Sequence, residues 1–224
     1  LGGGGSGPQS VTTDEPSAVA VSAVGRAELF MACYFDGTQI SSGALTGSAS
    51  GMTSCAYGAA AGNNHALEFF LRQVSSAGTG TYGISGSGKG WGVTAMGLLD
   101  GVDVAATLAL GSGSTATSNG TGTSQACGSV SGAAAGDFHL IGGMCQTGNA
   151  AGTITPPSGY KLLFSVPEGD VFIKALEPGD LTGGATSTVN ITTQNSVDWV
   201  TVSRVLKAKS VSNTSFRYNE LRAL

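Results

Sequence analysis

Charge is scarce in this chain of 224 residues: only 11% are Asp, Glu, Lys or Arg, and the formal net charge is −4. The few basic residues are scattered apart from Arg204, Lys207 and Lys209. Neutralising phosphates takes a concentrated basic face, so nucleic acid is excluded as a partner. Histidine is limited to His65 and His139, and the four cysteines, Cys33, Cys55, Cys127 and Cys145, show no CxxC spacing. A zinc site would want closely paired ligands, so no metal or cofactor is expected. Long apolar runs are missing too. No stretch approaches the roughly 18 residues of a membrane span, and no basic-then-apolar leader opens the chain, so it reads as soluble with no membrane partner. Aromatics are only 7% of residues, which counts against a sugar-stacking surface.

What the chain does have is 37 glycines, much Ser, Thr and Ala, and a 41% hydrophobic fraction that recurs in short alternating runs. That pattern predicts many short strands joined by small-residue turns rather than disorder. Strands are expected near 17–25, 27–35, 52–58, 65–74, 78–85, 90–99, 104–110, 124–130, 137–146, 160–166, 169–176, 186–193 and 197–207. Turn chemistry separates them, as at Asp36-Gly37, Asp100-Gly101, Pro156-Pro157-Ser158-Gly159 and Pro178-Gly179-Asp180. No window shows a capped helical period. The Gly/Ser/Thr run from Gly111 to Gly120 reads as the crossing between two halves.

Those halves repeat. A Trp-led strand occurs as Trp91-Gly92-Val93-Thr94 and again, 108 residues on, as Trp199-Val200-Thr201-Val202. Matching strands precede each: Ala27–Cys33 and His65–Leu71 in the first copy, Gly136–Gly142 and Gly169–Ala175 in the second. Two copies are too few for a solenoid, and an open sheet with one apolar face needs a partner sheet. The expected fold is all-β: a jelly-roll-like, two-sheet β-sandwich over 15–207 with an internal pseudo-duplication, its halves about 17–110 and 124–207. Residues 1–14 have linker composition and read as a flexible N-terminal arm. Residues 208–224 read as a C-terminal arm whose long side chains, Phe216, Tyr218, Leu221 and Leu224, are the candidate partner-binding anchors.

Candidate chemistry is thin. Gly83-Ile84-Ser85-Gly86-Ser87-Gly88-Lys89-Gly90 fits GxxxxGK but lacks the following Ser or Thr that would hold magnesium, and strand pattern follows it, so it reads as a hairpin loop. The turn carboxylates Asp36, Asp100, Asp103, Glu168, Asp170, Glu177 and Asp180 have neither calcium-loop spacing nor a defined catalytic pairing, and they read as local backbone acceptors. Neither histidine has a nucleophile context, and His65 reads as a sheet-edge residue. Trp91 and Trp199 read as matched core positions. The cysteines read as buried free thiols, with one or two disulfides as the alternative. Sequons at Asn119, Asn190 and Asn213 matter only in a eukaryotic secretory route.

The run Gly152-Thr153-Ile154-Thr155-Pro156-Pro157-Ser158-Gly159-Tyr160-Lys161-Leu162-Leu163, then Asp170–Ala175, a Thr-rich strand and Asp198–Val202, resembles a recurrent β-sandwich module. The module is similar to ones in tailed-bacteriophage virion proteins and some bacterial surface proteins, where a TPPSGW turn precedes a strand. Tyr160 stands where that Trp often is. The first half looks like the same module at Ala56-Tyr57-Gly58, Leu67–Leu71, Ala77–Thr81 and Gly97–Asp103, so the likeness covers about 17–207. It implies a non-enzymatic virion protein, foremost a capsid decoration or cement protein that is a homo-oligomer and binds a major capsid or tail protein through its arms. A tail-fibre or head-fibre module and a secreted carbohydrate-binding module are the alternatives. The module brings no catalytic residues to transfer.

Overall fold

The computed structural model describes residues 9–14, 25–34, 45–47, 50–60, 65–75, 79–84, 92–145, 151–166 and 169–210. In chain order the strands are β1 (Gln9–Asp14), β2 (Ala27–Tyr34), β3 (Leu45–Gly47), β4 (Thr53–Ala59), β5 (Ala66–Gln73), β6 (Thr79–Ile84), β7 (Gly92–Leu99), β8 (Thr115–Cys127), β9 (Phe138–Cys145), β10 (Ile154–Thr155), β11 (Lys161–Val166), β12 (Gly169–Ala175) and β13 (Val189–Leu206). One short helix, α1 (Val104–Leu108), lies between β7 and β8.

The duplication governs the topology. The first half forms an antiparallel sheet in the order β4-β5-β2-β7, and the second half forms one in the order β11-β12-β9-β13. The equivalent strands are β2 and β9, β4 and β11, β5 and β12, β7 and β13. These two sheets pack face to face, as the sequence predicts. Leu29, Met31, Leu67, Phe69 and Leu71 meet Leu140, Met144, Phe164, Val171, Val200 and Val202 in the largest core.

Each half also carries a small three-stranded layer of its own. In the first half the order is β1-β6-β3. In the second, residues 189–193 of β13 pair on one side with 124–127 of β8 and on the other with β10. A register shift between Thr192 and Val197 separates this part of β13 from the part in the large sheet. The small layer lies across the outer face of that sheet: Thr201 Oγ1 donates to Ala126 O at 2.6 Å, and Cys127 and Ile191 pack on Ile141, Phe172 and Tyr160. On the first half, Leu45 of β3 packs on Phe30, Tyr34, Phe70 and Met96. Both faces of the large sheets are therefore covered, and all eight residues of β2 are buried.

Three expectations need correction. The expected strand at 104–110 is replaced by α1 over Val104–Leu108, because Asp103 caps it: its Oδ1 accepts from Ala106 N–H at 2.9 Å, and Ala105 and Ala106 favour helix. Replacing Asp103 with Ala should cost about 1 kcal/mol, checked by urea denaturation. The small-residue crossing is strand from Thr115 onward, paired with β13 from Arg204 to Val197; main-chain bonds hold an edge strand that needs few apolar side chains. Within the expected N-terminal arm, residues 9–14 form β1, paired along its whole length with β6. An arm there ends before Gln9.

Candidate functional site

The tail of the chain is fastened to the body before it leaves. Lys207 N–H donates to Thr107 Oγ1 at 2.9 Å, and Lys207 O accepts from Asp103 N–H at 2.8 Å. Asp137, at the start of β9, takes Ala208 N–H on one oxygen at 3.0 Å and the Lys207 ammonium on the other at 2.5 Å. Ala208 bridges to Val102, Lys209 N–H donates to Gly101 O at 2.7 Å, and the Lys209 ammonium donates to Gly25 O. Arg26 and Asp100 add an ion pair at 2.7 Å on the same side. The expected C-terminal arm therefore starts no earlier than Val211. Its anchors Phe216, Tyr218, Leu221 and Leu224 lie outside the described residues.

Beside this corner a guanidinium is buried between the large sheets. Arg204 is 5% exposed and donates to Ser114 Oγ and Thr115 Oγ1, both at 2.7 Å, and to Thr107 O at 2.5 Å. No carboxylate pairs with it among the described residues, and Nε has no partner. Burial lowers its proton affinity, while the Cys55 thiol nearby acts the other way. Burial in turn pushes Cys55 up to about 12, with Arg204 opposing, so the pair stands as cation and neutral thiol. Arg204 ties α1 and the start of β8 to β13. With Lys207 paired to Asp137 and Lys209 bonded to Gly25, the basic cluster of the sequence is spent on internal bonds and forms no basic face.

A second polar group lies under the small layer of the second half. Tyr160 Oη and His139 Nδ1 are 2.6 Å apart, with the rings edge to face at 5.7 Å. Burial, reinforced by the Lys174 charge, pushes His139 down to about 4, and burial raises the Tyr160 phenol, so both are neutral at pH 7. Lys174 bonds Asp180 at 2.6 Å, which first among its causes holds that half-buried carboxyl below its usual range. In the first half, Glu28 accepts from Arg72 at 2.5 Å, and Glu68 accepts from Ser54 at 2.5 Å and Tyr34 at 3.2 Å. These buried carboxylates were not singled out from the sequence; their one signal is an acid at an inward-facing strand position.

Of the described turn carboxylates, Asp103, Glu177 and Asp180 serve the backbone as expected, whereas Asp100 pairs with the Arg26 side chain and Asp170 lies within β12. Asp103 caps α1, and Glu177 and Asp180 form a reciprocal capping box around Pro178. Asp170 is buried on β12, and burial raises its carboxyl. Asp36, Glu168, Trp91, Asn213 and the GxxxxGK residues 85–90 lie outside the described residues. Trp199 is buried against Gly120. His65, expected at a sheet edge, is instead fully buried just before β5, which lies between β4 and β2. All four cysteines are free and buried, the first of the two readings. Among the described residues no three His, Cys, Asp or Glu gather as a metal site, and no helix is long and apolar enough to cross a membrane. The one large apolar side chain described as exposed is Leu162; no described aromatic forms a stacking platform. Comparison with protein-family models, with curated proteins and with solved structures finds no match.

Proposed function

We propose that this chain is a non-enzymatic structural protein of a bacteriophage particle, a capsid decoration or cement protein that binds neighbouring subunits through its terminal segments. The observation that carries this reading is the fastened root of the tail. A segment that tethers one subunit to another must pass load into a rigid body, and Lys207, Ala208 and Lys209 are bonded to Asp137, Thr107, Gly101 and Gly25, which belong to both halves. The body itself is layered sheet, which suits a scaffold. Long side chains at Phe216, Tyr218, Leu221 and Leu224, in a chain otherwise rich in small residues, are suitable hot-spot anchors.

Light scattering on the purified chain, alone and mixed with empty tailed-phage capsids, tests this. A discrete homo-oligomer or a capsid-bound fraction that is lost on replacing Phe216 and Tyr218 with Ala is the expected result. A monomer that leaves capsids bare and instead binds a glycan would overturn the reading in favour of a carbohydrate-binding module.

A further inference from the structure

The two large sheets correspond residue by residue. Matching their registers lays β2 on β9, β5 on β12, β7 on β13 and β4 on β11, and the bulge at Cys55 falls on the bulge at Leu163. The inner faces nevertheless differ in size at corresponding places. On the outer strands the first half is small and the second large: Ala56 and Gly58 of β4 correspond to Phe164 and Val166 of β11, and Ala95 and Gly97 of β7 to Val202 and Arg204 of β13. On the central strands the order reverses, with Met31 of β2 corresponding to Gly142 of β9, and Leu67 and Phe69 of β5 to Gly169 and Val171 of β12. Toward the strand ends Ala27 and Cys33 correspond to the larger Phe138 and Met144, so the reversal belongs to the middle of the face. There the first half presents a ridge between low flanks and the second a trough between high ones.

Three close approaches seat the ridge in the trough. A Cβ on Gly142 would lie 2.5 Å from Phe69 Cζ, one on Gly97 would lie 3.0 Å from Phe164 Cε1, and one on Gly58 would lie 2.8 Å from Val202 Cγ2. Two first halves paired in this geometry would bring Met31 to the place of Gly142, against Phe69. Two second halves would bring Arg204 to the place of Gly97, against the Phe164 ring, and Val166 to the place of Gly58, against Val202. A bare Cβ is already too close at each point, so these longer side chains would force the sheets apart and give up close packing along the face. A pair of second halves would also strip Arg204 of Thr107 O, which belongs to α1 ahead of the crossing, and leave its buried charge with fewer partners.

We propose that the inner faces form a pairing code: a first half accepts a second half, from its own chain or from another copy, and each half rejects its own kind. Specificity of this sort comes as much from the clashes in the wrong pairs as from the fit of the right one. The inference goes beyond the particle-building reading and does not rest on it. Copies of this chain that exchange halves would therefore always join a first half to a second, a contact between unlike surfaces.

A protease site inserted between Gly111 and Ser112 in the full chain allows the test. The cleaved protein is unfolded in urea and refolded together with an isotope-labelled cleaved copy, and native mass spectrometry reads which fragments pair. Pairs of one first and one second half are expected, labelled and unlabelled mixing freely, with like pairs below about a tenth of the total. Like pairs as abundant as unlike ones would overturn the proposal. A second measurement on the intact chain decides the matter if the fragments do not refold. Exchanging the contents of two corresponding positions, Ala56→Phe with Phe164→Ala, conserves the total volume, and between interchangeable faces it would be nearly neutral. Under the code it leaves Gly97 facing a void and is expected to lower the folding equilibrium about a hundredfold or more in urea denaturation. A near-neutral exchange would overturn the proposal.

Discussion

Replacing Gly142 with alanine is expected to destabilise the protein by about 2–3 kcal/mol, in the upper part of the range for overpacking a core. Gly142 lies on β9 at the centre of the contact between the two large sheets. A Cβ there would lie 2.5 Å from Phe69 Cζ and 3.1 Å from Leu67 Cδ2. Both neighbours are fully buried on β5, so neither can swing into solvent. Facing sheets normally stand about 10 Å apart, and a large side chain on one is accommodated by a small one opposite. Here the Phe69 ring tip occupies the space over Gly142.

The explanation is specific enough to be separated from a generic glycine effect. Shortening the ring with Phe69→Leu costs stability alone through the lost volume. Combined with Gly142→Ala, the two changes should cost clearly less than their sum, with a coupling of about 1 kcal/mol or more. Urea denaturation of the two single variants and the double variant measures this. Strict additivity would mean that the alanine acts through the backbone and not through the ring.

The same contact shows why much of the fold was legible and part was not. Strands β2, β5, β9 and β12 fall within a residue or so of the expected runs because burial on one or both faces gives them dense apolar sequence. The duplicated strand order follows from the repeated runs ahead of Trp91 and Trp199. The first part of the edge strand β8, before the expected run at 124–130, escaped because Thr, Ser, Asn and Gly can satisfy a strand whose bonds are main-chain, and the same composition describes a loop. The helix α1 escaped because five residues carry no period; only Asp103 marked its start. At the turn after β12, Glu177 and Asp180 announced their roles through Pro178 and Gly179. The burial of Arg204 was invisible, since an arginine two residues from Val202 and three from Lys207 looks the same whether it faces water or the opposing sheet.

Acidification from pH 7 to 4 is expected to remove up to about 3 kcal/mol of stability through His139 alone. Its folded value is pushed down to about 4 from 6.5, first by burial and then by the Lys174 charge, and each unit is worth about 1.4 kcal/mol. With the folded value below the unfolded one, the unfolded chain takes up the proton first. The contribution is therefore complete above about pH 6.5, declines as pH falls through that value, and has been lost by about pH 4. The structure explains why the proton is refused: Nδ1 is engaged with the Tyr160 hydroxyl, Nε2 has no partner among the described residues, and Lys174 sits across the strand pair. Asp170 works in the opposite direction. Its carboxyl is raised by burial, so its effect favours the folded state at low pH and fades as pH rises through its folded value, flattening the acid end of the profile. His139→Gln, which keeps a polar group for Tyr160 but cannot titrate, should lose the slope between pH 6.5 and 4 while Asp170→Asn keeps it. Chemical denaturation at half-unit pH steps reads both, and an unchanged slope in His139→Gln would assign the acid sensitivity to the carboxylates instead.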